Sequence, residues 1–266
     1  MKKILTIALT ALIVASCGNR QTGGADGEEA EFTVDSLTFS EEDSKGKVLL
    51  EFDFPHEKGT PLSDSIRLHI SNMLGGTYQG DKNDNSAMLQ YYGKGLMAQF
   101  NTDNDGGLQW ESTTSFKLLH QTSRYVTFSI DTYEFSGGAH GLGASFLSTY
   151  HRKNGRTFGS DLLKDTASDA FCQLLKEGVK SYLADFDKSA ASMDDEQLSS
   201  QLLLPEGVSV NHLPLPALEP ALTPSGVSFT YTPYEIAPYV AGCPTFTIAY
   251  EKIRPFLTDE ALKWIE

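Results

Sequence analysis

Two hydrophobic periods alternate along this chain, and the change between them is what most limits the folds open to it. Val48, Leu50, Phe52 and Phe54 recur every second residue, and over 125–134 Tyr125, Thr127, Ser129, Asp131 and Tyr133 alternate with Val126, Phe128, Ile130, Thr132 and Glu134. A strand sends successive side chains to opposite faces, so each run reads as a strand. Leu62, Ile66, Ile70 and Met73 instead fall at helical spacing, as do Phe171, Leu174, Leu175, Val179 and Leu183. Each set forms an apolar stripe down one side of a helix.

Turn and cap residues divide these runs. The expected strands cover 31–40, 47–54, 108–121, 123–135, 141–151, 227–231 and 245–250. Thr60-Pro61 reads as an N-cap and first helical residue, and Gly75-Gly76 as the end of that helix. A second helix is expected from about 85 to 101, a helical region over 162–186 opened by Ser160-Asp161, a polar link with a short helix over 187–204, and a terminal helix over 259–265. Lys153-Asn154-Gly155 is a hairpin-turn signal. There are no internal repeats. The pattern predicts an α+β class, an antiparallel β-sheet with helices packed on one side, in two halves over 31–122 and 123–266.

The first thirty residues set the expected location. Lys2 and Lys3 precede a largely apolar run from Ile4 to Val14, too short to span a bilayer core that needs about 20 helical residues. That order is a secretory signal over 1–16. Val14-Ala15-Ser16-Cys17 resembles the lipobox of bacterial lipoproteins, in which the cysteine is acylated after cleavage. The resemblance implies lipidation at Cys17, a membrane contact made through that lipid, and a flexible tether over 17–30. No acidic cluster follows Cys17, which favours a periplasm-facing protein on the outer rather than the inner membrane.

The chain carries 21 basic and 35 acidic residues, a net charge of −14, and loss of Lys2 and Lys3 with the leader would take it to −16. Such a surface repels nucleic acid, so no nucleic-acid partner is expected, and it attracts basic proteins. After Cys17 only Cys172 and Cys243 remain, one in an expected helix and one in a turn. They can bridge only if their Cα atoms come within about 7 Å.

Motifs for catalysis or cofactors are missing. His56, His69, His120, His140, His151 and His212 are scattered, with no HxH, HxxxH or CxxC companion, so no metal site is expected. There is no GxSxG elbow, P-loop or GxGxxG turn, and no cofactor is expected. Asp103, Asp105 and Gly106 resemble the start of a calcium loop, but Asn101 stands at its first position and Ser112 at its twelfth, so a turn is expected there. Glu134 and Glu235 lie near aromatic residues and are the carboxylates a hydrolase reading would use.

Two segments stand out. Tyr133–Gly141 (YEFSGGAHG) contains Gly137, Gly138 and Gly141, which allow backbone angles closed to other residues or a close approach of chain, with His140 at the crest. Tyr231–Gly242 (YTPYEIAPYVAG) is bent by prolines and rich in tyrosine. Tyrosines give large contact area at small entropic cost, and they also serve at structural corners. Gly137, Gly138, His140, Tyr234, Glu235 and Tyr239 are therefore the candidate binding residues.

Taken in order, SGGAHG (136–141), the NGR at 154–156 with Leu162-Leu163 after it, and YTPYEIAPYVAG (231–242) before a last strand resemble one bacterial envelope domain family. Its members include the extracellular part of the lysozyme-sensing anti-sigma factor RsiV and a domain beside the catalytic domain of the peptidoglycan deacetylase PdaC. The likeness covers roughly 123–257, and 31–122 matches by layout alone. It implies an antiparallel sheet covered by helices, no catalysis by the domain itself, and binding of a lysozyme-like cationic protein or of cell-wall glycan. No sigma-binding segment, membrane-spanning helix or deacetylase domain is read here, so an anti-sigma factor of that design is not expected. The competing readings are a cell-wall-polymer hydrolase and a structural envelope lipoprotein.

Overall fold

A computed structural model describes residues 31–266. The expected leader (1–16), Cys17 and the tether (17–30) lie outside the described residues. The first sheet has five strands in sequence order: β1 (Val34–Glu42), β2 (Gly46–Pro55), β3 (Trp110–Gln121), β4 (Tyr125–Phe135) and β5 (Leu142–His151). All neighbours are antiparallel except β2 and β3, which run parallel. The exception follows from the connection: two helices, α1 (Pro61–Met73) and α2 (Asn85–Asp103), carry the chain back across the sheet.

Local chemistry sets these helices. Thr60 and Ser63 form a reciprocal capping box at the start of α1, with Pro61 in the first position. Asp84 caps α2 through Ala87. At the far end of α2 the Lys45 ammonium donates to the carbonyls of Asn101 at 3.2 Å and Asn104 at 2.6 Å. The segment read as a turn thus completes a helix C-terminus, with a lysine on its free carbonyls.

Both helices cover one face of the sheet. Val48, Leu50, Phe52 and Phe54 of β2, Phe116 of β3 and Val126, Phe128 and Ile130 of β4 are all buried there with Ile66, Ile70 and Met88. Phe52 stacks on Phe116 at 6.2 Å, and Phe116 on Phe128 at 4.4 Å, so one aromatic row crosses three strands. Each such ring, fully buried, contributes roughly 1.5–3 kcal/mol.

The rest of the chain builds a second core. It holds a three-stranded antiparallel sheet, β6 (Ala221–Thr223), β7 (Gly226–Thr230) and β8 (Thr245–Ala249), with α3 (Asp169–Phe186), α4 (Asp195–Gln201), α5 (Tyr250–Ile253) and α6 (Asp259–Ile265). Gly178 lets α3 sit against Phe246, whose ring would lie 2.1 Å from any added β-carbon. The helical region expected from 162 starts only at Asp169. Leu163 is extended and bridges Leu257, Asp165 has φ of +54°, and Ser168 caps the helix. After Lys153-Asn154-Gly155 the chain returns along β5 as a single bridge, Tyr150 to Thr157, rather than as a full strand.

Strand β4 is the wall between the cores. Val126 and Phe128 face the first, while Tyr125 belongs to the second. Thr127 and Thr149 share a buried hydroxyl bond of 2.7 Å; Thr127 also donates to the Leu222 carbonyl, and Thr149 accepts from the Leu222 N–H. The seam expected at 122–123 falls in the β3–β4 turn, inside the five-stranded sheet.

Candidate functional site

The β4–β5 loop and the segment after β7 meet at one edge of the molecule. Gly137 and Gly138 have φ of +97° and +94°, the left-handed conformations expected of that pair. Gly141 serves differently: an added β-carbon would lie 2.5 Å from the Tyr133 ring and 2.7 Å from the Glu134 carbonyl. The loop therefore folds back tightly on β4 and presents His140 outward. His140 is exposed, with Nδ1 3.2 Å from the Gly141 carbonyl.

The second segment begins with Tyr231, fully buried and donating to the Pro214 carbonyl at 2.7 Å; burial pushes its phenol pKa up. A turn follows, closed by Glu235 N–H to the Thr232 carbonyl, with Pro233 second and Tyr234 third. Tyr234 has φ of +66°, where a type II turn ordinarily places glycine. Glu235 clamps that turn. Its carboxylate accepts from Thr232 N–H and Oγ1 and, through the other oxygen, from Ala217 N–H at 2.7 Å. Both oxygens being engaged, Glu235 is an anchor of the loop rather than a free acid, whereas Glu134 is an exposed side chain of β4.

These segments place three expected residues in one stack. The Tyr239 ring lies on His140, with centroids 3.9 Å apart and planes 20° from parallel, and Tyr234 continues the stack at 5.9 Å and 28°. Tyr239 also donates to the Gly141 carbonyl at 2.5 Å. Tyr234 keeps 52% of its surface exposed and the neighbouring Val240 90%.

Beside the stack lies an open cleft of about 530 Å³, between the outer face of β4–β5 and the second core. Asp131, Tyr133, Gly143 and Ser145 form one side, and Tyr182 and Cys243 the other. Tyr182 donates to the Ala241 carbonyl at 2.7 Å and meets the exposed Phe186 edge-on. The cleft residues escaped the sequence reading. Tyr182 and Phe186 fall seven residues after Leu175 and Val179, on the same apolar stripe of α3, so nothing in the periodicity set them apart.

Among the described residues the two cysteines, Cys172 and Cys243, are free. The Cys172 thiol donates to the Thr166 carbonyl and that of Cys243 to the Gly143 carbonyl, and burial raises the pKa of both. Histidines stay dispersed: His56 pairs with Asp35, His69 with Tyr150, and His151 packs on Trp264. Among the described residues no group of three His, Cys, Asp or Glu side chains could hold a metal ion, and no helix is long and apolar enough to cross a membrane.

Such a molecule is a two-core α+β module with an aromatic face beside a cleft. Residues 42–143 match the family model described as deacetylase PdaC, and residues 160–251 the model described as a protein of unknown function, DUF3298. The chain thus resembles a PdaC-model segment followed by a DUF3298 segment, each over less than half of its length. A DUF3298 family member from Bacteroides fragilis NCTC 9343 has a similar structure, with a TM-score of 0.63 and 18% identity over 87% of this chain and 95% of that one. A DUF3298 family protein from Pseudomonas aeruginosa PAO1 gives 0.58 and 18% over 87% and 97%. At that identity the likeness is one of fold. No curated protein matches the chain.

Proposed function

We propose that this chain is a lipid-anchored binding module of the bacterial cell envelope, without catalysis of its own, whose His140–Tyr239–Tyr234 face recognises a basic protein of the lysozyme kind. One observation carries the reading. Tyr234 is held at positive φ, at a cost of roughly 1–3 kcal/mol, while half its surface is exposed. Strain kept at an exposed, stacked aromatic is what a preformed anchor for a partner requires. The net charge of −14 supports a cationic partner, and the engagement of both Glu235 oxygens argues against its use as a general acid or base.

The test is binding of the full chain to hen egg-white lysozyme at low and high salt. Salt should slow association, whereas Tyr234→Ala should mainly speed dissociation. Undetectable binding at low salt, or equal binding of an unrelated basic protein, overturns the reading. Soluble peptidoglycan fragments belong in the same assay. If they bind where lysozyme does not, the stacked rings serve cell-wall glycan, and if they are cleaved the module is an enzyme.

A further inference from the structure

On the face of the five-stranded sheet away from α1 and α2, beyond the part that the second core covers, Ser115 of β3, Asp131 of β4 and Ser145 of β5 lie side by side in register. Asp131 accepts a hydrogen bond from each serine, from Ser115 at 3.2 Å and from Ser145 at 2.5 Å. One serine holds each carboxylate oxygen, so the group is fixed in orientation although it is exposed. The lysines of the same face are committed elsewhere: Lys47 pairs with Glu111 at 3.3 Å and Lys117 with Asp53 at 3.5 Å. Asp131 opens instead into the cleft, which Tyr133 and Tyr182 also line.

An oriented carboxylate in a cleft lined by aromatic rings suits one ligand chemistry. A long aliphatic stem lies against the rings, and a terminal cation meets the acid and the π-faces. An anion would be repelled by the carboxylate, an apolar group would desolvate it with no return, and a neutral hydroxyl or amide would bond it without neutralising its charge. We propose that the Asp131 cleft seats a lysine or arginine side chain of a partner protein, docking beside the stacked rings. This rests on the basic-partner reading above and adds where the partner's charge is read. The cleft shares the 141–143 and 239–243 segments with the stack, so one partner surface reaches both.

Two measurements test it on the full chain. In the first, lysozyme affinity is compared among wild type, Asp131→Asn and Tyr234→Ala. The asparagine is isosteric and can keep serine bonds, and an unchanged melting temperature shows that the fold is intact. Loss of about tenfold or more in Asp131→Asn, with a weaker dependence on salt, is the expected result. If Tyr234→Ala abolishes binding while Asp131→Asn binds like wild type, the basic-partner reading stands and the cleft proposal falls. The second uses blocked Gly-Lys-Gly and Gly-Arg-Gly peptides against a norleucine control, followed by NMR at Ser145 and Tyr133. The cationic peptides should shift those signals in wild type and not in Asp131→Asn. This arm decides the cleft even if lysozyme does not bind: no shift, or an equal shift with norleucine, overturns the proposal.

Discussion

Tyr239 donates its hydroxyl to the carbonyl of Gly141 at 2.5 Å, across 98 residues of sequence, while its ring covers His140. One side chain therefore fixes both the position of the glycine loop and the plane of the stack. Tyr239→Phe keeps the ring and removes only the bond, leaving the carbonyl of the buried Gly141 with His140 Nδ1, 3.2 Å away, as its neighbour. We expect a loss of about 1 kcal/mol in denaturant unfolding. A larger loss would mean that the bond also holds the loop against β4, and no loss would mean that water replaces it.

The glycines separate two kinds of constraint. Gly138→Val forces a β-branched residue to φ of +94°, although nothing lies within 4 Å of the new β-carbon. The cost, about 1–3 kcal/mol, is then purely torsional. Gly95 provides the control, since it lies exposed in α2, with nothing within 4 Å and no positive φ. Gly95→Ala should raise stability by roughly 0.5–1 kcal/mol. Melting curves for both variants check the assignment, and equal effects would refute it.

What could be read in the sequence was what is local. Gly137, Gly138, His140, Tyr234 and Tyr239 lie in two short segments whose turn chemistry and tyrosine content show without any partner. The alternation over 125–134 likewise identified a strand, with Val126, Phe128 and Ile130 inward. It could not show that Tyr125 and Thr127, on the opposite face, are buried too, because Leu222 and the second core that cover them come from far along the chain. Strand β6 has three residues, too few for any period. Asp131 and Tyr182 escaped for a similar reason: the cleft exists only where β4–β5 and α3 meet. Glu235 looked like a candidate acid by its neighbours, and its bonds to Thr232 and Ala217 are what reassign it.

Lys45 gives the calcium-like segment a different chemistry. Its ammonium satisfies two carbonyls at the end of α2, and Asn104 adds bonds to the Lys45 and Leu108 carbonyls. Lys45→Met should lower stability by about 1 kcal/mol, through lost charge-assisted bonds at a helix C-terminus. Millimolar calcium should neither stabilise the wild type nor rescue the variant. A rise in melting temperature with calcium would restore the ion-site reading.

The lipid anchor is open to direct labelling. Cys17→Ser removes the only thiol near the lipobox-like triplet, so incorporation of labelled fatty acid should cease. A variant that still carries label would send the anchor elsewhere. Folding of the described module should be unaffected, which circular dichroism of the purified variant can check.

His69 should give the protein a pH-sensitive stability near neutrality. Its Nδ1 is bonded to the hydroxyl of Tyr150, itself 1% exposed, and its ring packs edge-on against Phe116. Burial lowers the imidazole pKa from its ordinary 6.5, and burial likewise raises that of the Tyr150 phenol. The neutral ring then accepts the phenol's hydrogen bond. As pH falls below 6.5 the unfolded chain binds a proton that the folded protein refuses. Stability therefore declines on acidification, until the folded imidazole itself titrates. The carboxylates whose pKa is lowered (Asp43, Asp187 and Asp195) have an ordinary value of 3.8, so their contributions are lost only below that. The interval from about pH 7 to 5 thus isolates the histidines from those acids. His69→Gln cannot titrate and can still accept from Tyr150. In urea unfolding across this interval, the wild type should lose stability more steeply than the variant. Parallel curves would mean that His69 takes up its proton as readily in the fold as outside it, and that Tyr150 holds it by packing alone.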